Sequence, residues 1–438
     1  MKLASEPTAI ETAAMVARGE TSAIAETEAA IARIEERDGP INAVVVRDFE
    51  RAREAAKAVD ERFARGESGP LLGVPMTVKE SNDVAGLPST WGMEEHRDNI
   101  AARDSPSVAR LKAAGAVILG KTNVPPLLAD WQSYNPVYGR TGNPHDLARS
   151  PGGSSGGAAA ALASGMVALE LGSDIGGSIR IPAHFCGVYG LKPSYGIVPL
   201  EGHYFPGTDG ADIPLSAVGP MARSAEDIAL AIDLLSDIAL PRPRCRSLND
   251  ARLLVITDHP VAPTQSAIAE AVTDVAEACA RAGATIERQS GRLPDLALRH
   301  GEYMRMLLTV LAARTPNPDQ PPPNLPAWFE ILDAQARCRR EWRALFADFD
   351  AVLTPVAGIT AFAHDTKEMR DRVLTINGEN SPFASQFGWI GMATYPGLPA
   401  ISAPIGADKE GLPIGLQIIG DMHQDQSVVE LARLIARI

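Results

Sequence analysis

The sequence is poor in several features that would decide its class. It has four cysteines, Cys186, Cys245, Cys279 and Cys338, in 438 residues. They are scattered, with no Cys-x-x-Cys pair and no metal-ligand spacing, which argues against a disulfide framework or a cysteine-held metal and leaves reduced packing thiols. Basic residues are outnumbered, 41 Lys and Arg against 54 Asp and Glu, for a formal net charge of −13. Binding along a phosphate backbone relies on basic patches, so no nucleic-acid partner is expected. Long apolar runs are missing as well. The segment from Gly157 to Gly172 is too short, too rich in alanine and interrupted by Glu170, so no membrane span is expected. The opening residues, Met1-Lys2-Leu3-Ala4-Ser5-Glu6, lack the apolar stretch of a secretory leader, and a cytoplasmic location is the expectation.

What is present is the composition of a globular chain, 45% apolar and 22% charged, enough for a large core. The stretch from Pro151 to Pro193 stands out. It holds two glycine-flanked serine clusters, Gly152-Gly153-Ser154-Ser155-Gly156-Gly157 and Gly172-Ser173-Asp174-Ile175-Gly176-Gly177-Ser178, joined by an alanine-rich segment that should be helical. Glycines around a serine let a substrate approach the main chain closely. In the second cluster the successive N–H groups of Ile175, Gly176, Gly177 and Ser178 can face one developing negative charge, which is what an oxyanion hole requires. A pair of ordinary turns is the plainer explanation for either cluster taken singly.

The whole stretch resembles the signature of the amidase signature family, serine hydrolases with a Ser-Ser-Lys triad. Carried over residue by residue, the resemblance implies Ser154 behind a cis peptide bond and Ser178 as nucleophile. It also implies Lys79 as the lysine of the upstream strand Gly73-Val74-Pro75-Met76-Thr77-Val78-Lys79. The implied fold is α/β, a large mixed β-sheet covered on both faces by helices. The implied chemistry is hydrolysis of a linear amide, a small acyl or aryl amide, through a Ser178 acyl-enzyme, giving a carboxylate and ammonia or an amine. Lys79 would be the general base, Ser154 the relay, and no cofactor or metal is needed. A neutral lysine near pH 7 requires burial or nearby positive charge, with Ser155 and Ser81 as candidates to orient it. Asp174 and Arg180 bracket the nucleophile and read as a structural ion pair. His184 reads as a packed histidine. The substrate pocket is placed along Leu128, Ala129, Asp130, Trp131, Gln132 and Tyr134, which precede the signature. A small-molecule amide is the expected partner, and a homodimer is possible.

Two competing identities resemble the same family. In the glutaminase component of a tRNA-dependent amidotransferase, threonine and glutamine typically stand where this chain has Ile175 and Ile181, and Tyr-Gly-Arg-Val-Ser stands where it has Tyr195-Gly196-Ile197-Val198-Pro199. A catalytically silent pseudo-amidase is disfavoured by three intact triad positions. Two other motifs are decoys. Gly115 to Thr122 matches a Walker A pattern, but a helix is expected before it and a strand inside it, the reverse of a phosphate loop. Gly152-Gly153-Ser154-Ser155-Gly156 matches a nucleophile elbow, but Asn143 to Leu147 before it reads as loop.

Length alone suggests several domains, yet Lys79 and Ser178 must meet and family-like segments run to Gly420. One domain over 1–438 is therefore expected, with an N-terminal helical region at 1–60, the signature core at 151–193 and a variable region with a helical insertion at 240–347. Two helices separated by Gly19 are expected over residues 5–37, and another from Ser105 to Ala114, capped by Asp104 or Ser105. Further helices should start at Ser224 and around Ile268, with a last one through Leu434. Strands are expected at Leu72–Val78, Ala116–Leu119, Leu253–Thr257, Ala284–Glu287, Ala351–Pro355, Gly397–Ser402 and Gly415–Gly420. The insertion at 299–346 surrounds a proline-rich loop and carries Tyr303, Met304 and Met306, which read as exposed-type residues of a substrate lid or as core.

Overall fold

Short apolar runs bounded by glycine or proline do become strands. In the computed structural model, which describes residues 6–208, 211–314 and 324–438, eleven strands make one sheet. In chain order they are β1 (Val44–Arg47), β2 (Pro75–Lys79), β3 (Val117–Thr122), β4 (Leu169–Asp174), β5 (Tyr189–Lys192), β6 (Ala217–Ala222), β7 (Arg252–Val255), β8 (Thr285–Glu287), β9 (Ala351–Pro355), β10 (Ala400–Ala407) and β11 (Pro413–Ile419). Their spatial order is β1-β3-β2-β4-β6-β5-β10-β11-β9-β7-β8. β2 lies parallel between β3 and β4, β7 runs parallel to β8 and β9, and the other pairings are antiparallel. The sheet is therefore mixed.

Alternation along the strands shows that both faces are covered. In β7, Leu253 and Val255 enter one buried cluster and Leu254 another. In β3, Ile118 faces one way and Val117 and Leu119 the other. Helix Ala225–Leu235 sends Ile228, Ile232 and Leu235 into the first cluster, together with Val428 and Leu431 of Asp425–Ile435. The opposite face packs under Gly156–Ala163, whose residues are all buried. That helix can lie so close because its residues are small: a Cβ on Gly157 would fall 2.3 Å from the Asn123 nitrogen.

Most element expectations hold within a few residues. The first two helices are Ala9–Ala17 and Ala23–Arg37, and Pro106–Ala113 is capped by the Ser105 hydroxyl. Strand β2 starts at Pro75, later than expected, because Gly73 takes a positive φ of 72° against the helix at Ala23. β6 at Ala217 joins the sheet between β4 and β5, a strand not among those expected. The Walker-like Gly120, Lys121 and Thr122 lie inside β3. The insertion is two helices, Leu296–Arg314 and Leu325–Leu345. Pro316, Pro318, Pro321, Pro322 and Pro323 fall outside the described residues, while Pro326 sits in the first turn of the second helix. Tyr303 and Met306 are not exposed-type residues: they are 0% and 1% exposed, because the helix is sandwiched between Phe387–Thr394 and Leu325–Leu345. All four cysteines are buried and unpaired. Among the described residues, no helix is long and apolar enough to cross a membrane.

Candidate active site

Parallel pairing brings the ends of β2 and β4 side by side, with Thr77 opposite Glu170 and Val78 opposite Leu171. Lys79, the last residue of β2, is therefore placed beside Ser173 and Asp174 at the end of β4. Its Nζ donates to Ser154 Oγ at 2.6 Å and to Ser173 Oγ at 2.9 Å, with a longer contact of 3.5 Å to the Ser173 carbonyl. The lysine is wholly buried, and that burial pushes its pKa down to about 7, against the opposing pull of Asp174 and Glu170. Near neutrality the amine can thus lose its proton to solvent, and its hydroxyl partners can then turn from accepting to donating.

The first serine cluster is held from below by the segment before it. The Gly153–Ser154 peptide is cis. A Cβ on Gly153 would lie 2.3 Å from the Asp130 carbonyl oxygen and 2.5 Å from that of Gln132, so only glycine fits. Ser133 Oγ donates to the Gly152 carbonyl and accepts from Gly156 N–H. Ser155 precedes the helix Gly156–Ala163. Its N–H donates to the Ser178 carbonyl at 3.1 Å, and its hydroxyl donates to the Ser173 carbonyl at 3.3 Å while accepting from Ser173 N–H at 3.4 Å. Ser155 therefore ties the two clusters together and reaches Lys79 only through Ser173. Ser81 does not hydrogen-bond the amine: its hydroxyl is buried without a hydrogen-bond partner among the described residues. Ser173, which sequence reasoning passed over, is the second hydroxyl on Lys79.

The second cluster turns around Asp174. Its carboxylate pairs with Arg180, Nε to Oδ2 and Nη2 to Oδ1 at 3.0 Å each, with both side chains fully buried. The rest of the guanidinium donates to the Ile390 carbonyl, Gln417 Oε1 and Thr394 Oγ1. Burial works against the Asp174 charge, but the Arg180 charge and its hydrogen bonds outweigh it, and the carboxyl stays below its usual range. The geometry is that of a structural ion pair. Asp174 Oδ1 also accepts the Gly177 N–H at 2.9 Å, so that N–H is engaged inside the loop and is not one of four free donors, as the glycine run had suggested.

The remaining peptide planes are set through their carbonyls. Tyr303 OH donates to the Ile175 carbonyl at 3.0 Å, Trp131 Nε1 to the Gly176 carbonyl at 2.7 Å, and Ile181 N–H to the Gly177 carbonyl at 2.7 Å. In a trans peptide the C=O and the next N–H point in opposite directions. Fixing the carbonyls of Ile175 and Gly177 therefore aims the N–H groups of Gly176 and Ser178 the other way. Among the described residues, neither these two nor Ile175 N–H donates to a protein acceptor.

The expected pocket segment divides. Leu128 is half-buried and Ala129 exposed, and Tyr134 is half-buried with its hydroxyl pKa raised by burial and by Asp130. Asp130, Trp131 and Gln132 are buried structural residues. Asp130 holds Arg372 through two contacts of 2.6 Å, and the Gln132 side-chain amide bonds both main-chain groups of Asp365. Trp131 stacks on Phe387 at 4.9 Å between ring centres. His184 is buried, accepts Gly415 N–H at Nδ1 and contacts the Ile359 carbonyl through Nε2, with burial pushing its pKa down to about 4. It is a packed histidine. Trp131 and Tyr303 were the residues whose roles the sequence missed, since an indole or phenol that reaches a backbone carbonyl leaves no local pattern.

The architecture agrees with comparisons to known proteins. The Amidase family model matches residues 25–317 and 325–429. AtzE, a component of the 1-carboxybiuret hydrolase of Pseudomonas sp. (strain ADP), is 35% identical, covering 92% of each chain. A component of the glutamyl-tRNA(Gln) amidotransferase of Lachnospira eligens is 30% identical, covering 96% of each. A solved bacterial aryl acylamidase of the amidase signature family superposes with a TM-score of 0.83 at 27% identity, covering 98% of this chain and 96% of that one. A family model that matches most of the chain, relatives at least 30% identical along nearly their whole length, and the architecture shared with the solved aryl acylamidase place the chain in the amidase signature family of hydrolases that act on carbon–nitrogen bonds.

Proposed function

We propose that the chain is an amidohydrolase that cleaves a small acyl or aryl amide through a Ser178 acyl-enzyme. The observation that carries this reading is the 2.6 Å contact between the buried amine of Lys79 and Ser154 Oγ. Neutral Lys79 takes the Ser154 proton while Ser154 takes that of Ser178, and Ser178 Oγ forms a bond to the amide carbon. The N–H groups of Gly176 and Ser178 receive the oxyanion. Ser154 then delivers a proton to the amide nitrogen, the C–N bond breaks and the amine departs. Water, deprotonated along the same path, attacks the ester, breaks the C–O bond to Ser178 and releases the carboxylate. Every proton in this scheme moves among Lys79, Ser154, Ser178, water and the substrate, so no cofactor is called for.

The relative that belongs to an amidotransferase supports a second reading, glutamine hydrolysis in the service of a partner. Against it, Ile181 is fully buried and packs on Gly177, where the amidotransferase pattern calls for glutamine.

The test is labelling of the purified chain with a serine-directed fluorophosphonate, beside Lys79→Ala and Ser178→Ala, followed by peptide mapping and an amide and anilide panel that includes glutamine. One adduct on Ser178, formed far more slowly without Lys79, and turnover of simple amides by the isolated chain are expected. An adduct on Ser154 that ignores Lys79 would overturn the mechanism. Turnover confined to glutamine and to a partner-containing preparation would favour the second reading.

A further inference from the structure

Glu170 lies in the middle of β4 at 1% exposure and has no part in the mechanism above. Its position relative to Lys79 follows from strand register. Glu170 is paired with Thr77 across β4 and β2, and Lys79 with Thr122 across β2 and β3. Thr77 and Lys79 are two residues apart on one strand and share a face. Glu170, Thr77, Lys79 and Thr122 therefore form one patch on the same side of the sheet. Glu170 Oε2 accepts the N–H of Leu171 at 3.0 Å, while Oε1 and the hydroxyls of Thr77 and Thr122 have no partner of hydrogen-bond geometry among the described residues. Both hydroxyls are nonetheless close enough to stabilise the carboxylate charge. A buried carboxyl with an uncommitted oxygen needs a reason to be there.

We propose that Glu170 is a positioning residue for the reaction: its carboxylate, on the Lys79 face of the sheet, keeps the amine basic enough to take the Ser154 proton. The inference rests on the reading of Lys79 as general base. Burial by itself favours the neutral amine, but an amine made too weak a base no longer accepts a proton from a serine. A negative group on the same face offsets part of that loss. The other groups facing Lys79 do not vary in this way. Asp174 on β4 is already held by Arg180 and by backbone N–H groups. His203 is neutral, its pKa pushed to about 3 by burial and by the Lys79 charge. Burial lifts the Glu170 carboxyl to about 7, and Thr77, Thr122 and Lys79 draw it back.

The experiment is the pH dependence of Ser178 phosphonylation, and of kcat/KM on an amide, for the natural chain and Glu170→Gln. With the carboxylate gone, the midpoint of the acid limb should move down by about one pH unit or more, as loss of a nearby buried opposite charge requires. The plateau rate should fall, because the lysine is a weaker base. A limb that stays in place or moves up in a variant with unchanged melting temperature would overturn the proposal. If Glu170→Gln does not fold, the Thr77→Val, Thr122→Val double variant decides. Without the hydroxyls the carboxylate is harder to form, so the limb should move the same way, and an unmoved limb refutes. Failure of the natural chain to label at Ser178 would instead sink the mechanism on which the inference stands.

Discussion

Lys79→Met should make the protein more stable at neutral pH while abolishing activity. Burial lowers the Lys79 pKa from 10.5 to about 7. At about 1.4 kcal/mol per unit, holding the cation in the folded chain below pH 7 costs about 5 kcal/mol. Methionine fills a similar volume and has no charge to desolvate. Against this gain stand the hydrogen bonds to Ser154 Oγ and Ser173 Oγ, worth about 0.5 to 1.5 kcal/mol each. Glu170, left without its counter-charge, is protonated at pH 6 and adds little there. The net gain at pH 6 is about 2 to 4 kcal/mol, or about 2 to 4 °C in melting temperature at about 2.1 cal/mol/K per residue. The sign depends on pH. Between pH 7 and 10.5 the unfolded chain keeps a proton that the folded chain has shed, so the natural protein gains stability as pH rises through that window. The advantage of Lys79→Met should therefore shrink and cross zero near about pH 9, where the remaining charge penalty of about 2 kcal/mol equals the lost hydrogen bonds, and turn into a deficit above that. Lys121 and Lys192 are buried too, but they contribute equally to both proteins and cancel. Melting scans of both proteins at pH 6, 8 and 9.5, at one scan rate, read the difference. A variant less stable at pH 6, or a gap that does not change with pH, would refute the assignment of a penalised, buried amine.

Two further substitutions separate the scaffold from the chemistry. Arg180→Met leaves the fully buried Asp174 carboxylate unpaired and orphans the Gln417 and Thr394 contacts. It should cost about 3 to 5 kcal/mol, read by denaturant unfolding, and a loss under about 1 kcal/mol would mean the pair is not buried as described. Trp131→Phe keeps the stack on Phe387 but removes the donor to the Gly176 carbonyl. It should lower kcat about tenfold with little change in KM, less than direct loss of an oxyanion donor. An unchanged kcat would show that the Gly176 peptide is fixed without the indole.

The residues proposed to do the chemistry stood out in the sequence because they are embedded in a long, unusual pattern: two glycine-serine clusters and a strand ending in lysine. The strands were legible because short apolar runs such as Leu253-Leu254-Val255 are punctuated by turn residues. What the sequence could not convey was how the site is held. Trp131 and Gln132 looked like a flat pocket wall, yet the indole is turned inward to a carbonyl 45 residues away. Tyr303 and Met306 read equally as lid or as core, and the structure decides for core: Tyr303, Met306, Leu307 and Val310 follow helical spacing and form the helix's buried stripe. Glu170 served in the sequence only as a reason against a membrane span. Its pairing with Thr77 depends on strand register, which a single strand does not encode.

A lowered lysine pKa does not by itself mark the base. Burial lowers Lys79 and Lys192 to about 7 and Lys121 to about 8. What differs is the partner. Lys192 donates to the Pro193 carbonyl, and Lys121 to the Pro88 carbonyl and to Ser89 Oγ. A carbonyl oxygen only accepts, and the Ser89 hydroxyl on Lys121 lies outside both glycine-serine clusters, so neither lysine has a path from its proton to a second serine. The closest partner of Lys79 is a hydroxyl, Ser154 Oγ, which can reverse its role and donate to the neutral amine. The Ser154 hydroxyl belongs to the cluster whose next residue bonds the Ser178 carbonyl. It is this reversible partner, one step from the second serine cluster, that separates Lys79 from two equally buried lysines whose contacts are structural.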